Sequence, residues 1–310
     1  MMSTELKMLS EMVKIRTIED LIAKDYLENK IFSFLHLSIG QESSAVGVCN
    51  ALTPSDLAFG NHRSHHHYLA KGGDLEKMLF EIYGDERGCC KGFGGSMHML
   101  DKKVGFVGST PILGSVAPIG CGIAFSLKHS LKENIAVIFI GDGAAEEGAF
   151  YESINLACVL KLPILFVIED NKFSVNSSVK DRKADKYSHA DIIKGFGCEY
   201  ECVSGRDVLN IYNTTLLIKD KMLKYKCPYV LHIEVTRGLY GHSGPLKENN
   251  PYYRDEKSIN DIYEKDCINH LINNLIEKKV DAEEINSIVS NTINEATSNF
   301  NNIRKQINLR

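Results

Sequence analysis

Little in this chain points to a membrane, a nucleic acid or a disulfide framework. No apolar run reaches the roughly 20 residues of a membrane-spanning helix, and Met1-Met2-Ser3-Thr4-Glu5 lacks the charged and apolar regions of a secretory leader. A cytoplasmic setting is therefore expected. No Lys/Arg block interrupts the 310 residues, whose formal charge is −4, so neither nucleic acid nor anionic lipid is an expected partner. The nine cysteines include the neighbours Cys89-Cys90 but no C-x-x-C pair, a pattern of reduced thiols and small core hydrophobes rather than of disulfides or zinc. H-E-x-x-H, the G-x-x-x-x-G-K-[ST] phosphate loop and internal repeats are also missing. Function must be read from individual sites.

The most informative stretch runs from Ile135 to Phe173. Aliphatic residues Ile135 to Ile140 stop at Gly141-Asp142-Gly143, apolar positions from Ala149 to Leu160 follow at helical spacing, and a second apolar run, Ile164 to Ile168, stops at Glu169-Asp170-Asn171. This is one βαβ unit with two buried parallel strands. A crossover returns the chain to the same sheet edge, so Asp142 and Asn171 share the carboxyl ends of the strands, where open α/β sheets bind ligands. A carboxylate oxygen and an amide oxygen there suit Mg²⁺ carrying a diphosphate, and Gly141 and Gly143 let the backbone approach the phosphates. Either turn alone is ordinary turn chemistry; the pair, joined by strand, helix and strand, is specific.

Elsewhere the pattern predicts an amphipathic helix over 4–28, a second helix from Ser43 to Leu52 after Gly40-Gln41-Glu42, and a polar, mobile loop from Ser174 to Asp191. Beyond it come helix 191–196, strand 199–203, helix 207–223, strand 229–235 and a helical tail from Ser258 to Arg310. His62 and His65 to His67 crowd six positions, yet without a defined ligand spacing they are a weak metal signal. Arg63 is suited to grip a diphosphate through its fork, with His62 donating beside it, and His66 and His67 are read as surface residues or as supports for their neighbours. Gly120-x-Gly122 is only a fragment of a dinucleotide fingerprint, which excludes NAD as the main ligand.

Gly141-Asp142-Gly143 through Asn171, with Lys91-Gly92-Phe93-Gly94-Gly95-Ser96-Met97-His98 and Gly241-His242-Ser243, resembles the α subunits of thiamine diphosphate-dependent 2-oxoacid dehydrogenases, of pyruvate or acetoin type. The resemblance runs from about residue 5 to 300. It implies an α/β thiamine diphosphate-binding fold with a mostly parallel central sheet and helices on both faces, as a single domain over 1–310 with an N-terminal helix and a helical C-terminal tail. Metal ligands would be Asp142, Asn171 and the carbonyl of Phe173; the cofactor would lie against His62, Arg63, Leu113 and the Gly141-Asp142-Gly143-Ala144 turn. His242 would face the reacting carbon, His36 would line the channel, and His98 is an unproven addition. The activity implied is cleavage of a 2-oxoacid such as pyruvate, or of acetoin, with the acyl unit passed to a lipoyl acyltransferase. The pyrimidine-facing glutamate would come from a β subunit, in an α2β2 heterotetramer. Three departures stand out: Asp170 replaces the family's Asn, Arg237 lies one residue further from His242, and Gly244-Pro245-Leu246 replaces Ser-Asp-Pro on a longer route to Tyr253-Arg254. A transferase of a biosynthetic pathway, working without a lipoyl partner, and a non-catalytic α/β binding module stay open as alternatives.

Overall fold

Two strands too short to show as sequence periods, β1 (Leu57–Gly60) and β2 (Phe106–Ser109), form one side of a six-stranded sheet. The expected βαβ unit forms its centre: β3 (Ala136–Gly141) pairs in parallel with β4 (Ile164–Asp170). With β7 (Glu199–Ser204) and β8 (Tyr229–Glu234) the order is β2-β1-β3-β4-β8-β7, every pairing parallel. The computed structural model describes residues 2–31, 33–130, 133–237, 241–245, 262 and 264–307. The expected route from Leu246 to Arg254, and the ends of the expected tail at 258–261 and 308–310, lie outside them.

Helices cover both faces because both faces are apolar. Val137, Phe139, Leu165 and Val167 point into one core, which they share with helices α1 (Thr4–Leu27), α2 (Glu42–Asn50) and, further along the chain, Val208–Tyr225. Ala136, Ile138, Ile140, Ile164, Phe166 and Ile168 point into the other, against Val116–Lys128 and Gly148–Leu160. The period-2 alternation of each strand thus feeds two hydrophobic layers, and each large aliphatic or aromatic side chain so buried contributes about 1.5–3 kcal/mol. Between α2 and β2 come α3 (His65–Ala70) and α4 (Leu75–Ile82); Val116–Lys128 is α5 and Gly148–Leu160 is α6. The tail forms helices Cys267–Glu277 and Ala282–Arg304. Leu271, Leu275 and Ile285 pack with Leu6, Leu9 and Met12 of α1, as the apolar spacing of 4–28 anticipates.

Sheet order places the site. The chain leaves β1 for β2 on one side, whereas β3 leads to β4 on the other, so the loops after β1 and β3 part and open a crevice. That is the switch point at which doubly wound sheets bind ligands.

The polar segment after β4 differs from the irregular loop expected. It contains an antiparallel hairpin of β5 (Phe173–Ser174) and β6 (Ser177–Ser178), then α7 (Val179–Arg182); α8 (His189–Gly195), beyond it, is the helix expected at 191–196. Ser178 and Asp181 form a capping box, with Asp181 Oδ2 accepting from the Ser178 amide and hydroxyl at 3.1 and 2.7 Å. Arg182 and Lys183 find carboxylates within the protein at Glu146, at 2.8 and 3.2 Å. Charge that reads as solvated in one dimension is paired in three.

Candidate functional site

Every residue proposed from the sequence to touch cofactor or metal lines one cavity of about 120 Å³ at that crevice. After β1 come His62 and Arg63; after β2, Leu113; after β3, Gly141 to Ala144; after β4, Asn171 and Phe173; beyond β8, Arg237 and His242. Gln41, Asn61, Glu169, Ser174 and Val175 complete the wall. His36 joins through its ring, 4.6 Å from that of His62 and 5.3 Å from that of His242.

Asp142 is buried, and burial, with Asp170 nearby, pushes its carboxyl up to about 6 even though Arg182 Nη2 donates to Oδ2 at 2.6 Å. A buried carboxylate that its guanidinium does not fully compensate is suited to a further cation. Asn171 Oδ1 accepts the Phe173 amide at 3.1 Å, the turn that brings the Phe173 backbone to the same wall. Gly143 is required here: a Cβ on it would lie 2.4 Å from Ser174 Oγ. The side of the crevice facing the diphosphate-type site is rich in donors. Arg63 is buried with Nη1 on the Leu37 carbonyl at 2.5 Å and Nη2 on the His242 carbonyl at 2.8 Å. Gln41 Nε2, both nitrogens of His62 and Nδ1 of His36 are buried with no hydrogen-bond partner among the described residues. Such orphaned groups mark a place built for a polar ligand. The residues present therefore fit Mg²⁺ and a diphosphate.

The three imidazoles at the mouth are neutral near pH 7. Burial and then Arg63 hold His36 down to about 3 and His242 to about 4, and push His62 well below its ordinary value. Arg63 Nη2 lies 3.3 Å from His242 Nδ1; a guanidinium only donates, so Nδ1 accepts and the proton sits on Nε2.

Other histidines are structural. His66 and His67 are not at the surface: both are fully buried, each with Nε2 on Glu169, at 3.1 and 3.0 Å. They support the strand end that carries Asn171. Burial opposes the charge of Glu169, but His67 and His66 outweigh it and hold the carboxyl well below its usual range. His65 joins Glu19 of α1, at 3.0 Å, to Ser96 of the glycine-rich loop, at 2.8 Å. That loop is organised by Glu81, whose buried carboxylate accepts backbone N–H groups from Cys90, Gly92, Gly94 and Gly95 at 2.6–3.1 Å. Its role is conformational, as read from sequence. His98 is exposed, bonded to the Gly94 carbonyl at 3.0 Å, and does not line the cavity. Asp170, the family's Asn, is paired with His232 at 3.0 Å and Lys172 at 2.8 Å.

Sequence reading missed Arg182, Gln41 and Glu169. Arg182 sits in the run expected as a polar, mobile loop, Gln41 was seen only as part of a helix start, and Glu169 only as part of a turn.

The dehydrogenase E1 component family matches residues 10–306 of the chain. The sequence is 34% identical over 294 residues to the alpha subunit of acetoin:2,6-dichlorophenolindophenol oxidoreductase of Bacillus subtilis (strain 168), covering 94% of this chain and 87% of that protein. It is 35% identical over 266 residues to the corresponding subunit of Cupriavidus necator, covering 86% and 78%. The pyruvate dehydrogenase E1 component subunit alpha of Rickettsia prowazekii is 30% identical over 294 residues, covering 94% and 87%. With a parallel sheet whose switch point gathers the motif residues, and with that match over nearly its whole length, the chain belongs to the dehydrogenase E1 component family of oxidoreductases.

Proposed function

We propose that the chain is the α subunit of a thiamine diphosphate- and Mg²⁺-dependent dehydrogenase that acts on pyruvate or acetoin and delivers the acyl unit to a lipoyl acyltransferase in the cytoplasm. The observation that carries this reading is the single cavity in which Asp142, Asn171 and Phe173 meet Arg63, His62 and His242. Asp142 Oδ, Asn171 Oδ1 and the Phe173 carbonyl would hold Mg²⁺, an all-oxygen set of the kind that metal prefers. Arg63 and His62 would face the diphosphate, with the Gly141–Ala144 backbone beneath it and Leu113 along the pyrimidine. When bound, the thiazolium supplies an electron sink for a bond broken beside a carbonyl. His36 and His242, neutral at working pH, hold and move protons at the substrate oxygen, His242 donating from Nε2.

The cavity also supports a second chain. About 120 Å³ is small beside the ~300–1,000 Å³ pockets that enclose a cofactor-sized ligand, so this chain covers one end of the cofactor. We infer that a β subunit closes the rest, with the pyrimidine-facing carboxylate, in an α2β2 heterotetramer. The relatives' shared designation as alpha subunits supports that reading.

Calorimetric titration of thiamine diphosphate with Mg²⁺, with and without the candidate β chain, tests the proposal. Binding that requires the second chain and disappears in Asp142→Ala is expected. Failure of both mixtures to bind would leave a fold without this chemistry. The altered segment after His242 keeps one other reading in play, an acyl or aldehyde transferase without a lipoyl partner; turnover with an aldehyde acceptor and none with lipoyl protein would favour it.

A further inference from the structure

Arg182 is bonded to one oxygen of the Asp142 carboxylate on which the metal reading rests. Its Nη2 donates to Asp142 Oδ2 at 2.6 Å, while Nη1 spans both oxygens of Glu146 at 2.8 Å. The guanidinium is largely shielded, 14% exposed, and Lys183 Nζ joins Glu146 at 3.2 Å. A dication bound at the Asp142 carboxylate meets the Arg182 guanidinium across a buried site, where two cations repel, so the two compete for that carboxylate.

We propose that Arg182 is a tethered counter-cation of the Asp142 site, displaced when a divalent metal binds, so that it sets the metal affinity of the enzyme. This rests on the metal reading of Asp142, Asn171 and Phe173. Displacement needs no unfolding, since Glu146 can retain the guanidinium after Asp142 releases it. The hairpin links both events. Phe173, a metal-facing residue, opens β5, and Arg182 closes α7 just beyond β6, with Arg182 Nε also on the Ser178 carbonyl at 3.3 Å. Ser174 of the same hairpin packs so closely on Gly143 that a Cβ there would lie 2.4 Å from its hydroxyl, so a shift at one end is felt at the other. Metal arrival therefore loosens the 177–186 segment, which loses its tie to Asp142 and keeps those to Glu146.

The test is Mn²⁺ titration of the full-length, metal-depleted chain together with the candidate β chain and thiamine diphosphate, with free ion read by electron paramagnetic resonance, alongside hydrogen exchange over 177–186. Arg182→Gln is expected to bind Mn²⁺ roughly tenfold tighter, which corresponds to a site open about a tenth of the time in the parent. Arg182→Lys, which keeps the charge but loses the fork, should fall between them. Mn²⁺ should speed exchange over 177–186 in the parent and leave it unchanged in Arg182→Gln. Glu146→Gln, which removes the alternative anchor, should weaken Mn²⁺ binding. Equal or weaker binding in Arg182→Gln, or parent exchange indifferent to Mn²⁺, overturns the inference while leaving the metal site standing. Absence of Mn²⁺ binding in parent and Arg182→Gln alike, with β chain and thiamine diphosphate present, removes both the metal reading and the inference.

Discussion

His67 lies flat on Phe139, with ring centroids 3.9 Å apart and planes at 19°, while its Nε2 reaches Glu169 at 3.0 Å. An imidazole stacked in a core and tied to a carboxylate is pulled two ways, and burial wins: its pKa falls from 6.5 to about 4 despite Glu169. The folded chain thus resists a proton that the unfolded chain accepts. His67 contributes its full stability above pH 6.5 and loses it as pH falls toward 4, on the order of 3 kcal/mol in all. Urea unfolding at pH 7, 5.5 and 4 should show His67→Asn less stable than the parent at pH 7 but with a flatter acid decline. Parallel declines would rule out His67 as a source of the acid sensitivity.

Glu81 should be the keystone of the glycine-rich loop. In Glu81→Gln a neutral amide replaces a carboxylate that accepts from Cys90, Gly92, Gly94 and Gly95, and its NH2 faces donors. A loss of about 2–4 kcal/mol is expected. Tryptic cleavage after the exposed Lys91 should quicken in step. Unchanged thermal unfolding and cleavage would show that the loop is held by something else.

Gly120 is a packing glycine. A Cβ there would meet Ile138 Cγ2 at 2.4 Å and Ile164 Cδ1 at 3.0 Å, where α5 rests on the sheet. Gly120→Ala gains up to about 1 kcal/mol of helix propensity, but overpacking a rigid core costs about 1–3 kcal/mol. A lower melting temperature is therefore expected, and a higher one would mean that α5 can lift from β3 without cost.

His242→Ala should separate chemistry from binding. Loss of a positioned proton donor lowers turnover of the assembled enzyme by roughly 10²–10⁴. Affinity for Mg²⁺ and thiamine diphosphate should stay within a few-fold, since the proposed oxygen ligands lie on other loops. If affinity collapsed together with turnover, the His242 ring would be holding Arg63 in place, through its Nδ1 contact at 3.3 Å, rather than moving a proton.

What the sequence by itself determined is the local unit. β3, α6 and β4 follow one another in the chain, and their runs of Ile, Val and Phe, closed by Gly-Asp-Gly and Asp-Asn, require a buried parallel pair with polar ends at one edge. Asp142 and Asn171 were legible for that reason, and His62, Arg63, Leu113 and His242 became legible through the family motifs around them.

The tertiary structure decided everything that depends on which segments lie side by side. Strands β1 and β2, four residues each, carry no period long enough to read, and they exist because β3 offers an edge for β1 and β1 offers one for β2. His66 and His67 read as surface residues or supports for their neighbours until α3 delivers them to Glu169, more than a hundred residues away. Asp170 looks like a departure from its family until β8 places His232 beside it. Arg182, one cation in a charged run, acquires its meaning only where the hairpin folds back on Asp142. Periodicity reports what each residue needs from its neighbours along the chain; pairing and charge compensation across the crevice are set by the sheet order, which no local pattern encodes.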